Sequence, residues 1–478
     1  MNNKRKLFAP LCILLVMASL LCACGEKKND NADTTSNQSV DENNPLISLL
    51  PDTDYDSTFV ILTREGYNEG QYLVNHEETG DPINAVSVAR TVYLEDKYAI
   101  DMSVVENENL VTVLNNSHLA GGKEFDLIEP HPTDGITNLM VSGCFANLLE
   151  MPYQFTSREW WNQSQVENYT TNGKLYLGVS DLTITGQSLL GLIYNRDRYV
   201  SLGFTEDLHD LTMSGGFTME YLKELLTRCQ SSSDGTDEDA AEYGLLFQVE
   251  SSRRWMYALG QRILTKNSDG VFELSLKKDP LVSLCSAMYG VLYESGDVMV
   301  ANTGGNKVFA QSDYWTTFES GRALFAAFNI GSNYSLLREL EFDVGYLPLP
   351  KLNASQQDYL VVEASALMGL PALAKNGEMS SVILEAMSIW SYQKMRPAFF
   401  DTILMGRLSE NPDDYEMLEF LHESKFYDFG FTLDSENVAL NIISEVVINK
   451  KRPDTVAGYL VAKENDLDAI TDLANTIQ

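Results

Sequence analysis

The residues in this sequence best suited to chemistry are Glu250 and Trp255, a carboxylate and an indole in the stretch 243–255 (YGLLFQVESSRRW). A strand followed by a turn would bring the two side chains together. The acid would accept hydrogen bonds from hydroxyls while the ring covers apolar C–H faces, a pair suited to a sugar. Core packing is the alternative for Trp255. A second group forms a polar joint between the extended runs 175–177 and 189–194: Ser180, Asp181, Thr183, Thr185, Gly186, Gln187 and Ser188. A strand interrupted by hydroxyls, an amide and a glycine suits a chain passing from one lobe to another, with side chains free to meet a ligand. A surface hairpin is the plainer alternative.

Signatures of catalysis are missing. Residues 186–191 (GQSLLG) contain one residue too many for a nucleophile elbow, and no Gly-rich loop ends in Lys followed by Ser or Thr. His76, His118, His131, His209 and His422 never pair at metal-ligand spacing, and no CxxC occurs. The acidic loop 231–242 lacks the glycine that an EF-hand loop needs, so it reads as a solvated connection. Acids are plentiful, but nothing singles out a glycosidase-type pair. No catalytic residue, metal ligand or cofactor is assigned.

The elements that must position these groups alternate. A strand at 58–63, a helix from Asp81 and Pro82 to about Tyr98, a strand at 101–106, a helix at 109–120 and a strand at 125–129 predict a parallel sheet wrapped by helices. Ligands sit at the ends of such strands, which selects Arg64, Glu65 and Tyr67 after the first and Glu129 and His131 after the third. A solvated loop residue is the alternative for each. The pair Trp160 and Trp161 is expected to pack a helix, and Thr218 to cap one. Helices follow at 283–294, at 378–395 ended by Pro397, and at 416–422, 438–448 and 467–477.

A chain of 478 residues exceeds one ordinary core, so two lobes are expected. With 34 Lys and Arg against 68 Asp and Glu and no basic patch, nucleic acid is excluded as a partner. Lys4, Arg5 and Lys6 precede an apolar run at 7–21, too short and too near the start for a standard membrane span. Leu21-Cys22-Ala23-Cys24-Gly25 resembles a bacterial lipobox, which makes 1–23 a signal peptide and Cys24 the lipidated residue. Residues 24–57 read as a disordered tether, with the fold starting at Thr58. Cys144, Cys229 and Cys285 are expected to be small buried hydrophobes.

The order of NGK, a hydrophobic-Tyr run, the polar joint, hydrophobic-Tyr-Asn-basic-Asp and Gly-Phe across 172–204 resembles the first inter-lobe crossing of family 1 extracellular solute-binding proteins, such as the maltose-binding type. The blocks 318–325 (FESGRALF) and 342–350 (FDVGYLPLP) resemble that family's second crossing strand and its later Gly-x-x-Pro-hydrophobic-Pro run. The resemblance covers most of the mature chain. It implies an α/β, two-lobe, periplasmic-binding-protein-like fold, each lobe a sheet flanked by helices, with an N-lobe of 58–186 plus 329–361 and a C-lobe of 187–328 plus 362–478. It places a return crossing near Phe328 and Asn329 and a third at 361–365, with Glu363 at the joint. In the family a strand like 243–255 delivers an acid and aromatics into the cleft, and Glu250 and Trp255 fall on matching positions.

The ligand-binding set is then Arg64, Tyr67, Glu129, His131, Thr185, Gln187, Glu250, Trp255, Trp315, Asn329 and Glu363. The implied activity is capture of a small solute, with a carbohydrate or oligosaccharide favoured, for the permease subunits of an ABC importer. No enzymatic reaction is implied. The implied protein is a monomer, extracytoplasmic and held to the cell membrane by its lipid anchor alone. A surface-anchored carbohydrate-active enzyme, or a sensor using the same fold without transport, is the alternative.

Overall fold

In a computed structural model, residues 45–65, 68–186, 189–229, 241–301, 312–363, 366–404 and 411–477 are described. The first apolar run becomes β1 (Ser57–Arg64), which pairs in parallel with β2 (Ile100–Asn107) on one side and β3 (Leu127–Glu129) on the other. Ile61 and Leu62 point to opposite faces of the sheet and both are fully buried, so both faces are covered, as a parallel sheet requires. The helix Pro82–Tyr98 starts at the predicted cap: Asp81 Oδ1 accepts the amides of Ile83 and Asn84 at 2.7 and 3.1 Å. Pro82 forfeits nothing there, because that amide has no helical partner.

A second sheet is built from later segments. It contains β4 (Leu190–Asn195) and β5 (Tyr243–Gln248) and, beyond a separate hairpin of β6 (Leu264–Lys266) and β7 (Phe272–Leu274), also β8 (Val298–Ala301), β9 (Ala323–Asn329) and β10 (Val344–Leu347). The order is β10-β4-β9-β5-β8, with β5 parallel to both its neighbours and β4 antiparallel to both of its own. A short parallel pair, β11 (Val361–Val362) with β12 (Lys425–Phe426), stands apart from both sheets.

Among the described residues two segments carry the chain between the sheets. It first leaves through a tight helical turn, Asp181–Gly186, into β4. It returns after β11, where Met368 bridges Gly178 and Gly369 bridges Ile128 of β3. The helix Arg396–Leu404 packs on Pro82–Tyr98 and the helix Pro412–Glu423 on β10; residues 405–410 between them lie outside the described residues.

Two expectations about the course of the chain are corrected here. Residues 329–361 do not join the first sheet: Val344–Leu347 pairs with β4, and Lys351 bridges Thr218. The segment that does join it follows Glu363, since Met368, Gly369 and Pro371 all bridge first-sheet partners. A local motif marks a strand and its end, whereas the sheet that receives it is set by distant pairing. Pro397 does not end its helix either. Gly377–Trp390 widens into a π turn at Ser391–Met395 and resumes as Arg396–Leu404, with Pro397 in the first turn, where a missing amide is tolerated.

The folded part also reaches further toward the N-terminus than Thr58. Ile47 and Leu50 are 1% and 5% exposed, and the Tyr55 amide donates to the Tyr98 carbonyl at 2.8 Å. The apolar cluster Leu46, Ile47, Leu49 and Leu50 is the signal for this docking. The signal peptide and Cys24 lie outside the described residues.

Several buried polar groups hold the framework. Trp160 Nε1 and Trp161 Nε1 donate to the two oxygens of Glu385 at 2.6 and 3.0 Å, all three residues being buried, which docks the tryptophan pair on the helix Gly377–Trp390. Cys144, Cys229 and Cys285 are buried and unbridged. The helix Glu464–Thr476 is stitched to the NGK turn: Thr171 Oγ1 donates to the Ala474 carbonyl at 2.9 Å and Asn172 Nδ2 to that of Ile477 at 2.9 Å.

Candidate functional site

Parallel strands present ligand-facing residues at their carboxyl ends, where the strand order reverses. Each sheet has one such point. In the first it is β1, whose end carries Arg64, beside Glu129 and His131 from β3. In the second it is β5, followed by Glu250, beside Asn329 at the end of β9.

The first point is a folded polar corner. Arg64 Nη1 pairs with Asp134 Oδ1 at 3.0 Å, and Asp134 Oδ2 accepts the His131 amide at 2.9 Å. His131 Nδ1 accepts the Thr133 amide at 3.2 Å, so the ring proton is on Nε2. Glu129 faces the other way. It is 1% exposed, accepts the Thr63 hydroxyl at 2.7 Å and offsets the buried Arg90. Arg90 donates to the carbonyls of Tyr72 and Leu73 and to Ser391 Oγ; burial pulls its pKa down to about 10 against the pull of Glu129. Glu129 therefore compensates an interior cation and leaves the ligand-facing set.

The second point departs further from expectation. Glu250 is exposed, but Trp255 lies in the helix Ser252–Ala258 instead of a turn and packs on Phe247 with ring centroids 5.5 Å apart. At 1% exposure it is a core residue, and the acid–indole pair does not form. Trp315 is equally enclosed, between Phe318 and Phe328 at 6.0 and 5.3 Å. Tyr314 beside it donates to the carbonyls of Leu246 and Ala327. Asn329 Oδ1 accepts the Leu189 amide at 3.1 Å, tying β9 to the start of β4. Composition flags an aromatic residue; only the register of its helix says which way the ring turns.

At the passages, the polar joint is more closed than the sequence suggests. Ser180 bonds Ser388 at 2.8 Å, and Thr183 is 1% exposed, while Thr185 is half-buried at the turn's end. Tyr67 and Gln187 lie outside the described residues. Asp181 and Glu363 enter a buried group of charges that sequence reasoning did not assemble. Arg396 Nη1 lies 3.9 Å from Asp181 Oδ2, and His422 Nε2 lies 3.8 Å from Asp181 Oδ1. Lys425 Nζ is 3.0 Å from His422 Nδ1 and 3.6 Å from Glu363 Oε2. An ammonium can only donate, so His422 Nδ1 accepts and Nε2 carries the proton. Burial and the two cations push the His422 pKa well below its ordinary value, so the ring is neutral. No spacing rule links residue 181 with 396, 422 and 425; the chain brings them together only by folding.

Two other features are chemically accounted for elsewhere. Asp207, His209 and Asp210 place ligand-type atoms within 4.8 Å of one another, but Asp207 is occupied in capping the helix Leu208–Met213. A cavity of about 250 Å³ at the carboxyl end of β4 is lined by Tyr194, Tyr199, Phe204 and Glu206 together with Asn411 and Asp413 from the start of the helix Pro412–Glu423.

The sequence matches no protein-family model and no curated protein. Solved structures do match. An ABC substrate-binding protein from Listeria monocytogenes, in complex with cycloalternan, is 13% identical with a TM-score of 0.54, over 87% of this chain and 98% of that one. A cyclo/maltodextrin-binding protein complexed with maltotetraose is 14% identical with a TM-score of 0.57, over 87% and 96%. UgpB from Mycobacterium tuberculosis, with glycerophosphocholine, is 14% identical with a TM-score of 0.56, over 87% and 98%. At such identities the likeness is one of architecture: the chain has the two-lobe α/β fold of ABC substrate-binding proteins.

Proposed function

We propose that this protein captures a small solute, a carbohydrate or oligosaccharide, between its two lobes and delivers it to the permease subunits of an ABC importer. The observation that carries this reading is the passage of the chain back and forth between two sheets, each with a strand-order reversal where polar side chains gather. Hinge movement at such passages is how two-lobe binders close on a ligand. The matched structures with cycloalternan and maltotetraose support a sugar as the solute class.

Within that reading Arg64, His131, Thr185 and Glu250, with Tyr67 and Gln187, are the contacts we assign to the solute. Glu363 acts beside them at the second passage. The protein binds without turnover, as a monomer held at the outer face of the membrane through lipid on Cys24. No helix among the described residues is long and apolar enough to cross a membrane.

A thermal-shift titration with maltotetraose, raffinose and glycerophosphocholine tests this. A saturable, one-to-one stabilisation, about 4 kcal/mol at a thousandfold excess over Kd, with the solute recovered unchanged, is the expected result. Release of shorter sugars, or no shift with any sugar, overturns it.

A further inference from the structure

The buried charges at the passages are unevenly matched. Arg396 Nη2 pairs closely with Glu423 Oε1, and Lys425 lies 3.6 Å from Glu363. Each cation thus has a carboxylate of its own. Asp181 is the remaining acid. Its side chain is 7% exposed, its nearest cation is 3.9 Å away, and Oδ2 accepts no hydrogen bond. A carboxylate taken from water without hydrogen bonds is costly to charge, and cations already shared with other acids compensate it poorly.

The group also spans the molecule's moving parts. Asp181 stands on the first passage and Glu363 on the second. Arg396 is on a helix packed against the first lobe, and His422 is on a helix packed against the second. Lys425, on β12, pairs in register with Val361 of the second passage. We propose that Asp181 is a proton-operated brake on hinge movement: neutral, it lets the joining segments around it pack as they do here; charged, it drives them toward an arrangement in which its carboxylate meets water.

The sign follows from linkage. Burial, opposed by Arg396 and Lys425 and assisted by Glu423, pushes the Asp181 pKa up to about 7. In an arrangement with Asp181 hydrated, the pKa would return to the ordinary carboxylate range. Protonation therefore favours the packed passages, and that preference is lost as pH rises through about 7. The other elements packed on the turn bring the phenols Tyr72 and Tyr334, which do not ionise in this window, and Tyr392 and the exposed ammonium of Lys394 from Ser391–Met395. They also bring Glu385 from Gly377–Trp390, whose two oxygens are held by Trp160 and Trp161 and whose own titration persists in Asp181→Asn. Ser388 meets the turn only through Ser180.

Hydrogen exchange of the ligand-free full chain tests this without reference to any solute. Corrected for intrinsic rates, peptides covering 181–186, 361–363 and 420–427 should open about tenfold more often at pH 8 than at pH 6, while β5 and β9 stay unchanged. Asp181→Asn should remove that dependence and keep the protected level at both values. Arg396→Gln, which withdraws a facing cation, should move the midpoint to higher pH. A flat wild-type profile, an unchanged response in Asp181→Asn or an unmoved midpoint in Arg396→Gln overturns the proposal. The consequence for solute capture rests on the proposed function; the exchange result does not, so either can fail alone.

Discussion

Two interior carboxylates, Glu385 and Asp181, differ in how they are held. Glu385 receives two indole N–H bonds at 2.6 and 3.0 Å inside the first lobe. Asp181, on a segment that joins the lobes, has the neutral His422 ring at 3.8 Å and the Arg396 guanidinium at 3.9 Å. Burial lifts both pKa values to about 7 against these favourable partners. The same titration range thus arises from a satisfied group that fixes a helix and an unsatisfied one at a joint. A shifted pKa reports desolvation, and only the surrounding bonds say whether the group is cement or a moving part.

The sharpest way to break this comparison is to remove each acid. Glu385→Ala orphans two buried donors at roughly 1–3 kcal/mol each, so unfolding in urea should register a loss of about 3 kcal/mol or more. Asp181→Asn should instead be stabilising at pH 7, where the wild-type acid already carries most of the cost of its raised pKa, and the gain should shrink toward the ordinary carboxylate range. Equal losses would erase the distinction.

Next in size is the pH profile. Because both folded pKa values are raised, the stability that the neutral acids contribute is complete below the ordinary carboxylate range and is lost as pH rises through about 7. Asp428, pushed up to about 6 by burial, adds in the same sense. Unfolding free energy should therefore fall from pH 5.5 to pH 8.5. The double variant Glu385→Gln, Asp181→Asn should flatten most of that slope, and a wild-type profile that climbs across the window refutes the assignment.

Smaller still is a contrast between indoles. Trp160→Phe deprives Glu385 of a bond, whereas Trp255 Nε1 has no hydrogen-bond partner to lose. Calorimetry should show the first variant about 1 kcal/mol less stable than the second. Least of all, Glu250→Gln changes an exposed carboxylate, and stability should hold within about 0.5 kcal/mol. Its effect should appear only as weaker capture of a sugar that binds, read by titration calorimetry.

Much of the architecture was legible because its signals are local. Asp81 followed by Pro82 marked a helix start to the residue, and apolar periodicity located β1, β2 and β3 within two residues at each end. What failed needed distant partners. The prolines at 348 and 350 end a strand but do not say that β10 pairs with β4. The site was less legible for the same reason. Arg64 and His131 stand at strand ends as expected, but Trp255 looks the same in sequence whether it lines a cleft or fills a core, and the Asp181 cluster draws on four separated stretches of chain.

The clasp at the NGK turn has a consequence for how this molecule is made. Thr171 and Asn172 bond to residues 303 and 305 positions later. At ribosomal speeds of about 5–20 residues per second, roughly 15 to 60 s separate synthesis of the two sides. During that interval the nascent polypeptide presents an uncovered flank to any chaperone that meets it, and native closure must wait for the later helix to emerge.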